Sequence, residues 1–296
     1  MPGRVLVTGS EGFTGRYVTA ALERQGWQVI STGVKSQNNR KNYIQADLSK
    51  PSHVTELVHS ARADAVIHLA AIAFVAHGDP SAFYALNVVA TRHLLAALAE
   101  SAYQPTSVVL ASSANIYGNQ TAGTLSETTT PNPANDYAVS KLAMEYMAKL
   151  WMDRLPITIT RPFNYTGVGQ NSFFLVPKIV QHCLEKQATI ELGNLNVGRD
   201  FSDVRDVAAV YAALAEQPLV GETVNICSGH CYQLSDVVAM AQDISQHVMS
   251  VQVDQHLVRD NEVKELRGDA TKLTKVMGQH TYKDLPATLA WMLECD

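Results

Sequence analysis

The chain has 296 residues, a length that suits one large α/β domain or two smaller ones. Its hydrophobic content of 46% and charged content of 17% exclude a disordered or fibrous chain. A net charge of −5 without a basic run argues against a nucleic-acid partner, and we expect no membrane span because no apolar stretch reaches the required ~18 residues.

The N-terminus, MPGRVLVTGS, has neither the basic flank nor the apolar core of a signal peptide, so we expect a cytoplasmic protein. Cys227, His230 and Cys231 lie close together among a total of four cysteines. A structural zinc site needs a second ligand pair at close spacing, and the sequence has none. The sequence therefore predicts reduced thiols and no metal.

Short β-rich runs alternate with helical patterns through the first half of the chain, as in a doubly wound parallel sheet. RVLVTG is predicted to be a strand, followed by a helix that runs to about Gln25 and is capped by Gly26. Further strands are predicted at 27–32, 64–71, 107–113 and 156–162, and long helices at roughly 80–101 and 134–153.

After residue 165 the alternation loosens, and a helix near 203–216 and a strand near 222–227 are predicted to return to the first domain. The predicted domains are 1–165 joined by 201–227, and a smaller lobe made of 166–200 and 228–296. Consecutive parallel strands cross over right-handedly, so the order of the elements largely fixes the fold. In such a fold a ligand is expected at the carboxyl ends of the strands.

A glycine-rich turn, TGSEGFTG, follows the first strand directly and opens the first helix. Gly9 permits the tight turn, Gly12 lets the backbone approach a pyrophosphate, and Gly15 allows close packing of the helix. The helix N-terminus adds free N–H groups and the positive end of the helix dipole. The turn therefore predicts a Rossmann-type fold that binds a dinucleotide.

The end of the second strand, residues 32–36, contains no carboxylate to hold the ribose 2′-hydroxyl of NAD. Lys35 or Arg40 is suited to pair with a 2′-phosphate instead, so we expect NADP(H) to be favoured over NAD(H); the alternative is that Lys35 is merely solvated. Asp47 is expected either to accept a hydrogen bond from the adenine amino group or to cap the helix that begins near Pro51.

Tyr137 and Lys141 are four residues apart in a predicted helix, so one face carries both side chains about 5–6 Å apart. A tyrosine with a pKa of about 10 is a poor base, but a buried ammonium group stabilises the phenolate and lowers that pKa. SSANIYG, at the end of the strand predicted at 107–113, supplies a hydroxyl group nearby. With the glycine turn, this set predicts proton transfer beside a nicotinamide.

These motifs resemble the extended short-chain dehydrogenase/reductases, the NAD-dependent epimerase/dehydratase family that acts on nucleotide-activated sugars. The resemblance covers essentially the whole chain, and it implies an NAD(P)-binding Rossmann domain with a smaller C-terminal α/β lobe that binds the nucleotide sugar. It rests on the runs TGSEGFTG, ADL, HLAA, NVVATRHLL, SSANIYG, YAVSK, RPFN, GRDFSDVRDV and ELRGD.

The resemblance also implies site residues. Tyr137 is the expected acid/base, Lys141 its partner and Ser113 the hydroxyl that holds the reacting oxygen, with Ser112 as the fallback. The implied cofactor contacts are Gly9, Glu11, Gly12, Phe13, Thr14, Gly15, Lys35, Asp47, Leu48, Leu69, Ala70, Ala71, Asn87, Tyr137, Lys141 and Pro162. The implied substrate contacts are Ser112, Ser113, Asn115, Asn164, Val176, Pro177, Arg199 and Arg267.

Two residues before the IYG turn narrow the expected reaction. The 4,6-dehydratases of the family carry an Asp-Glu pair where this chain has Ala114 and Asn115, and the 3,5-epimerase/4-reductases carry a cysteine that this turn lacks. With these two reactions excluded, the expected reaction is hydride transfer at C4 of the sugar. The runs of the second lobe, above all NEVKELRGD, look most like GDP-4-keto-6-deoxy-D-mannose reductases, which make GDP-D-rhamnose.

The guanidinium groups of Arg199 and Arg267 suit diphosphate oxygens, the alternative for each being an ion pair with Asp200 or Asp269. Three other functions stay open: a UDP- or dTDP-4-keto-6-deoxysugar 4-reductase, a UDP-sugar 4-epimerase with tightly bound NAD, and a non-enzymatic binding protein on a Rossmann scaffold. We also expect a homodimer through a four-helix contact of the helices at 80–101 and 134–153, the alternative being that these faces are buried within one subunit.

Overall fold

A computed structural model gives the fold and describes residues 3–37, 41–73, 79–118, 123–257, 264–278 and 280–295. The helices are α1 (Phe13–Arg24), α2 (Pro51–Ala61), α3 (Pro80–Tyr84), α4 (Thr91–Glu100), α5 (Asp136–Lys149), α6 (Leu175–Leu184), α7 (Val204–Glu216), α8 (Leu234–Ser245), α9 (Thr271–Met277) and α10 (Leu285–Glu294). The strands are β1 (Arg4–Thr8), β2 (Gln28–Gly33), β3 (Tyr43–Gln45), β4 (Ala65–His68), β5 (Ser107–Ala111), β6 (Gly123–Leu125), β7 (Ile157–Pro162), β8 (Asn164–Thr166), β9 (Thr189–Leu192), β10 (Gly198–Asp203), β11 (Thr223–Ile226), β12 (Cys231–Gln233), β13 (Ser250–Val253) and β14 (Glu265–Gly268).

The first of two compact units is built on a parallel sheet in the order β11-β7-β5-β4-β1-β2-β3. Its central strands are almost wholly buried apolar runs, as expected where helices cover both faces of a sheet. Since β2 and β4 flank β1 on opposite sides, the chain reverses direction across the sheet at β1, and the crevice there is the ligand site of such folds. The predicted Rossmann-type α/β fold is confirmed.

The predicted helix at 80–101 is a continuous helical segment whose middle part, Ala85–Ala90, is a π-helix. Over Pro80–Glu100 it is long and apolar enough to cross a membrane, with a mean hydropathy of 1.3, so the expectation that no stretch reaches that length is wrong. Half of the most apolar part of this segment is buried inside the protein. The core helices of proteins that do not span a membrane can be equally long and apolar.

The second unit has its own core, in which α6, α8 and α10 pack together. One sheet has the order β12-β10-β14-β6 with β8 beside β10, and β13 pairs with β9.

The bounds of the two units differ from the predicted domains because short strands pair where the sequence did not place them. β6 pairs with β14, and β8 pairs with β10, which draws both strands into the second unit. The first unit comprises Met1–Gly118, Thr130–Pro162 and Ala208–Val224, and the second Asn119–Thr129, Phe163–Val207 and Asn225–Asp296.

Candidate active site

The glycine-rich turn folds tightly against the segment that follows β4. Gly9 has a φ of +69°, and a Cβ there would lie 2.8 Å from the amide nitrogen of Ala70. A Cβ at Gly15 would collide with the carbonyl oxygen of Gly9. Both positions therefore require glycine, Gly9 for its backbone conformation and Gly15 because the helix packs on the turn itself.

The N-terminus of α1 fits the phosphates of a dinucleotide. Gly12 is its N-cap and offers no side-chain cap, and the first turn, which includes Phe13 and Thr14, contains no acidic residue. The positive end of the helix dipole therefore lies at the glycine-rich turn, where it favours an anion. A pyrophosphate would be held by this turn.

A buried histidine joins β1, β4 and α4, which sequence reasoning did not single out. Thr8 Oγ1 lies 2.7 Å from His68 Nδ1, and His68 Nε2 lies 2.9 Å from Thr91 Oγ1. Burial, aided by the charge of Lys141, lowers the pKa of His68 to about 3, so its ring is neutral. The amide of Ala70 donates to Thr8 Oγ1, which holds the half-buried Leu69 to Ala71 run beside the turn.

Tyr137 and Lys141 lie on the first two turns of α5. Asn135 caps this helix, because its Oδ1 accepts a 2.9 Å hydrogen bond from the amide of Ala138. Both side chains are buried, with exposed fractions of 6% for Tyr137 and 4% for Lys141. The ring of Phe83 makes an edge contact with that of Tyr137, so the phenol is held among apolar groups.

Lys141 is tied to the end of β5. Its Nζ donates a 2.7 Å hydrogen bond to the carbonyl oxygen of Ala111. Burial lowers the pKa of Lys141 to about 8, against the opposing charge of Glu145. This bond ties the ammonium group to the end of β5, and Ser112 and Ser113 follow Ala111 in the chain.

Ser113 caps the 3₁₀ turn that follows β5. Its Oγ accepts a 3.1 Å hydrogen bond from the amide of Asn115, so its own O–H remains to donate. The Ser112 hydroxyl is buried and has no hydrogen-bond partner within the described part of the chain. The residue Asn115 is exposed. Both serine hydroxyls therefore have an O–H that can donate, and the choice of Ser113 over Ser112 stays a prediction.

Asn87, a predicted cofactor contact, connects the loop after β4 to α5. Its Oδ1 accepts from the amide of Ile72 at 3.1 Å, and its Nδ2 donates to Ser140 Oγ at 3.0 Å. Ser140 Oγ in turn donates to the carbonyl oxygen of Tyr137 at 2.7 Å. The π-helix around Asn87 is of the kind often found at functional sites.

A second buried polar group connects α5 to β7 and was not predicted, although Arg161 belongs to the RPFN run. Arg161 donates to both carboxylate oxygens of Glu145, at 3.0 and 2.7 Å. Its Nη1 also donates to Tyr117 Oη at 3.0 Å. Glu145 therefore fixes α5 to β7 and to the turn after β5, and places a negative charge near Lys141.

The predicted phosphate contacts Arg199 and Arg267 lie on the neighbouring strands β10 and β14 of the second unit. Arg267 donates to Thr124 Oγ1 at 2.8 Å, while the Asp269 carboxylate accepts from the amide of Thr271. Within the described residues, Arg267 and Asp269 do not form the ion pair that was the alternative.

Asp200, the alternative partner of Arg199, is a fully buried carboxylate that organises this unit. It accepts hydrogen bonds from the hydroxyl and amide of Ser228, at 2.7 and 2.8 Å, and from the amides of Gly229 and Gly268. Burial raises the pKa of Asp200, although these bonds oppose the shift. Its carbonyl oxygen accepts from Asn164 Nδ2 at 3.2 Å.

Val176 and Pro177 lie in the first turn of α6, which Phe174 precedes as N-cap. Both side chains are buried in the second unit. Their contact with a substrate stays a prediction.

Pro162 ends β7, and three other predicted cofactor contacts lie near the ends of β2 and β3. Asp47 Oδ1 accepts from the amide and hydroxyl of Ser49, and the N-cap of α2 is Lys50, so the alternative role of Asp47 as helix cap is wrong. Leu48 is buried, and Lys35 is exposed. Arg40 lies outside the described residues.

The four cysteines form no disulfide bond. All four are free, and burial raises the pKa of the Cys227 thiol. Across the described ranges, no group of three or more His, Cys, Asp or Glu side chains is arranged to hold a metal ion.

The turn at β1 and the set of Ser113, Tyr137 and Lys141 define an NAD(P)-dependent oxidoreductase or epimerase of the extended short-chain type. Residues 5–227 match the NAD dependent epimerase/dehydratase family. The chain belongs to this family, whose members act on nucleotide sugars.

Two relatives share most of the chain's length. The GDP-6-deoxy-D-talose 4-dehydrogenase of Aggregatibacter actinomycetemcomitans is 35% identical over 93% of this chain and 91% of its own. The GDP-6-deoxy-D-mannose reductase of Pseudomonas aeruginosa PAO1 is 30% identical over 94% of this chain and 92% of its own.

Solved structures are similar along the whole chain. An epimerase candidate from Burkholderia cenocepacia J2315 is 49% identical, with a TM-score of 0.94 and coverage of 99% of this chain and 98% of that one. RMD from Pseudomonas aeruginosa, complexed with NADPH, is 29% identical, with a TM-score of 0.86 and coverage of 99% and 97%. MoeE5, complexed with UDP-glucose and NAD, is 26% identical, with a TM-score of 0.88 and coverage of 99% and 98%.

Proposed function

We propose that the protein catalyses NAD(P)(H)-dependent oxidation and reduction at C4 of a GDP-6-deoxyhexose, with GDP-4-keto-6-deoxy-D-mannose as the keto substrate. The observation that carries this proposal is the buried pair of Tyr137 and Lys141, with Lys141 hydrogen-bonded to Ala111, two residues before Ser113. The names of the two relatives, both of which concern GDP-6-deoxy sugars, support the substrate class.

A dinucleotide held at the glycine-rich turn would supply the hydride for reduction of the C4 carbonyl group. The Ser113 hydroxyl donates a hydrogen bond to the C4 oxygen, which fixes its position and stabilises the negative charge that develops there. Tyr137 donates its phenolic proton to the same oxygen. The ammonium group of Lys141 lowers the cost of the resulting phenolate, and it is also expected to hold the cofactor ribose. The same residues run the oxidation in reverse.

The turn after β5 supports simple C4 chemistry over dehydration. Ala114 and Asn115 occupy its first two positions, and neither side chain is a carboxylic acid. Elimination of water from a sugar needs an acid and a base at the reacting carbons, whereas hydride transfer at C4 needs only the three residues described above.

The configuration at C4 of the product has two candidates. 6-Deoxy-D-mannose, which is D-rhamnose, and 6-deoxy-D-talose differ only at C4, so one keto sugar gives either by reduction from opposite faces. The sequence favoured GDP-D-rhamnose, whereas the relative with 35% identity favours GDP-6-deoxy-D-talose. We therefore propose the keto substrate and treat the two products as outcomes of one experiment.

The experiment supplies NADH or NADPH with GDP-, UDP- and dTDP-4-keto-6-deoxysugars, follows the loss of dinucleotide absorbance, and identifies the product by NMR. We expect turnover with the GDP sugar and a single C4 epimer. A preference for a UDP or dTDP sugar would contradict the proposed nucleotide while leaving the C4 chemistry in place.

The Burkholderia structure, at 49% identity, favours a 4-epimerase as the second candidate. Such an enzyme keeps its dinucleotide bound through oxidation and reduction. Purified protein that carries stoichiometric dinucleotide and turns over a nucleotide sugar without added cofactor would support this function against ours.

In the second unit, we propose that Arg199 and Arg267 bind the diphosphate.

A homodimer is also proposed, because apolar side chains are exposed on the two helices predicted to pair. Tyr146 on α5 and Leu150 at its C-cap are 60% and 80% exposed, and Val89 on the π-helix is 47% exposed. Light scattering at micromolar concentration should give twice the chain mass, and Leu150→Glu should reduce it to one. The free thiols support the cytoplasm as the proposed compartment.

A further inference from the structure

A carboxylate lies at the end of β2 although β2 itself has no acidic residue there. We propose that Glu11, in the glycine-rich turn, binds the adenosine ribose hydroxyls of the dinucleotide and makes the protein prefer NAD(H) to NADP(H). This inference rests on the proposed function, because it concerns the cofactor of that reaction. It reverses the preference for NADP(H) that Lys35 and Arg40 predicted.

The register of the sheet brings the turn and the end of β2 together. Thr8 of β1 is paired with Thr32 of β2, so the turn that starts at Gly9 lies beside Gly33. Glu11 follows Gly9 by two residues, and its Oε2 would be only 2.7 Å from a Cβ built on Gly33. The carboxylate therefore contacts the last residue of β2.

The missing side chain of Gly33 leaves room for this contact. Its backbone has the ordinary extended conformation of a strand. Tyr43 Oη also lies 2.7 Å from the Cβ position, so no free space is left there. Tyr43 itself is fixed, since its hydroxyl donates a 2.6 Å hydrogen bond to the carbonyl oxygen of Lys35. Any side chain at residue 33 would displace Glu11 or Tyr43.

The place of this carboxylate identifies its ligand. In Rossmann-type folds the adenosine ribose lies at the end of the second strand, where an acidic residue accepts a hydrogen bond from the 2′-hydroxyl. Here the strand end supplies no acid, and Glu11 reaches the same position from the neighbouring turn. Glu11 is exposed, and within the described residues its carboxylate has no hydrogen-bond or ion-pair partner. The carboxylate is therefore available to the two hydroxyl groups of a ribose.

The same charge disfavours NADP(H). A 2′-phosphate carries up to two negative charges, and a carboxylate within a few ångströms repels it. Lys35 is exposed, and its long side chain offers a mobile, solvated charge against the carboxylate that is seated on Gly33. Repulsion by the seated group outweighs attraction by the mobile one.

The test measures the dissociation constants of NADH and NADPH by isothermal titration calorimetry, without substrate. We expect the wild type to bind NADH at least about tenfold more tightly than NADPH. Glu11→Gln keeps the shape but removes the charge, so it should reduce that ratio by roughly tenfold, mainly through tighter NADPH binding. Gly33→Ala should weaken NADH binding because it displaces the carboxylate.

The matched control is Glu23→Gln. Glu23 is an exposed glutamate at the far end of α1, so this variant removes the same charge at a position away from the glycine-rich turn. Its NADH/NADPH ratio should equal that of the wild type. The proposal is overturned if the wild type binds NADPH as tightly as NADH, or if Glu11→Gln leaves the ratio unchanged. Both of those outcomes leave the proposed function standing, whereas binding of neither dinucleotide would refute the function as well.

Discussion

Lys141 Nζ donates a 2.7 Å hydrogen bond to the carbonyl oxygen of Ala111, which ties α5 to the end of β5, two residues before Ser113. This contact joins residues thirty positions apart in sequence. It holds the ammonium group in a buried place where its charge is costly, and such a charge is most useful to a neighbouring phenol that must lose a proton.

Tyr137→Phe tests the proton donor. The ring and its contact with Phe83 remain, and only the hydroxyl is lost. We expect kcat to fall by roughly two to four orders of magnitude, while the dissociation constant of the dinucleotide changes little. Stopped-flow absorbance and calorimetry measure the two quantities. Near-normal turnover would remove Tyr137 from the mechanism.

Lys141 makes the free energy of unfolding depend on pH. Burial lowers its pKa from 10.5 to about 8, so between these values the unfolded chain holds a proton that the folded protein has released. The contribution of this group to stability therefore rises with pH through that window, by on the order of 3 kcal/mol in total, and its cost is fully present below it.

Urea denaturation of the wild type and of Lys141→Met, in steps from pH ~7 to pH ~10, measures this effect because other titrating groups cancel in the difference. The wild type should gain stability relative to the variant as the pH rises. A difference that stays constant with pH would show that the ammonium group is not buried.

The Arg161–Glu145 pair should be costly to break from one side. Arg161→Met leaves a buried carboxylate without its partner, and we expect a loss of about 3–5 kcal/mol in the free energy of unfolding. The double variant with Glu145→Met should recover much of this. As a control, Lys50→Met removes one partner of an exposed pair and should cost less than about 1 kcal/mol. If Arg161→Met and Lys50→Met lose the same free energy of unfolding, the Arg161–Glu145 pair is not buried.

Asp200→Asn tests the organising carboxylate of the second unit. Asparagine has one acceptor oxygen and sets an NH₂ group against backbone amides that now donate to Asp200, so we expect a loss of about 1–3 kcal/mol in denaturant titrations. Asp243→Asn, at an exposed position of α8, should change stability by less than about 0.5 kcal/mol. If the two variants are equally stable, the Asp200 carboxylate does not hold the loops together.

The sequence was sufficient for the parallel sheet and for the placement of Tyr137 and Lys141 on one helix, because both follow from local periodicity. It was insufficient where chemistry depends on partners far apart in the chain. Arg267 and Thr124 are 143 residues apart, and their strands pair in the second unit, which displaced the predicted domain bounds.

The charge at the end of β2 shows the same limit at shorter range. Sequence reasoning looked for an acid after the strand, within residues 32–36, and found a lysine. The register of β1 and β2 brings Glu11 there from another segment, and register is a property of the folded sheet. His68 was likewise overlooked, because a lone polar residue in an apolar strand reveals its partners only in three dimensions.

The most direct test of the proposed C4 chemistry follows a hydride. The protein is incubated with GDP-4-keto-6-deoxy-D-mannose and a reduced dinucleotide deuterated at the transferable position of its nicotinamide, and the product is examined by NMR. We predict one deuterium at C4 of a GDP-6-deoxyhexose, with stoichiometric oxidation of the dinucleotide. Absence of label from C4 with the GDP, UDP and dTDP keto sugars alike would contradict the account.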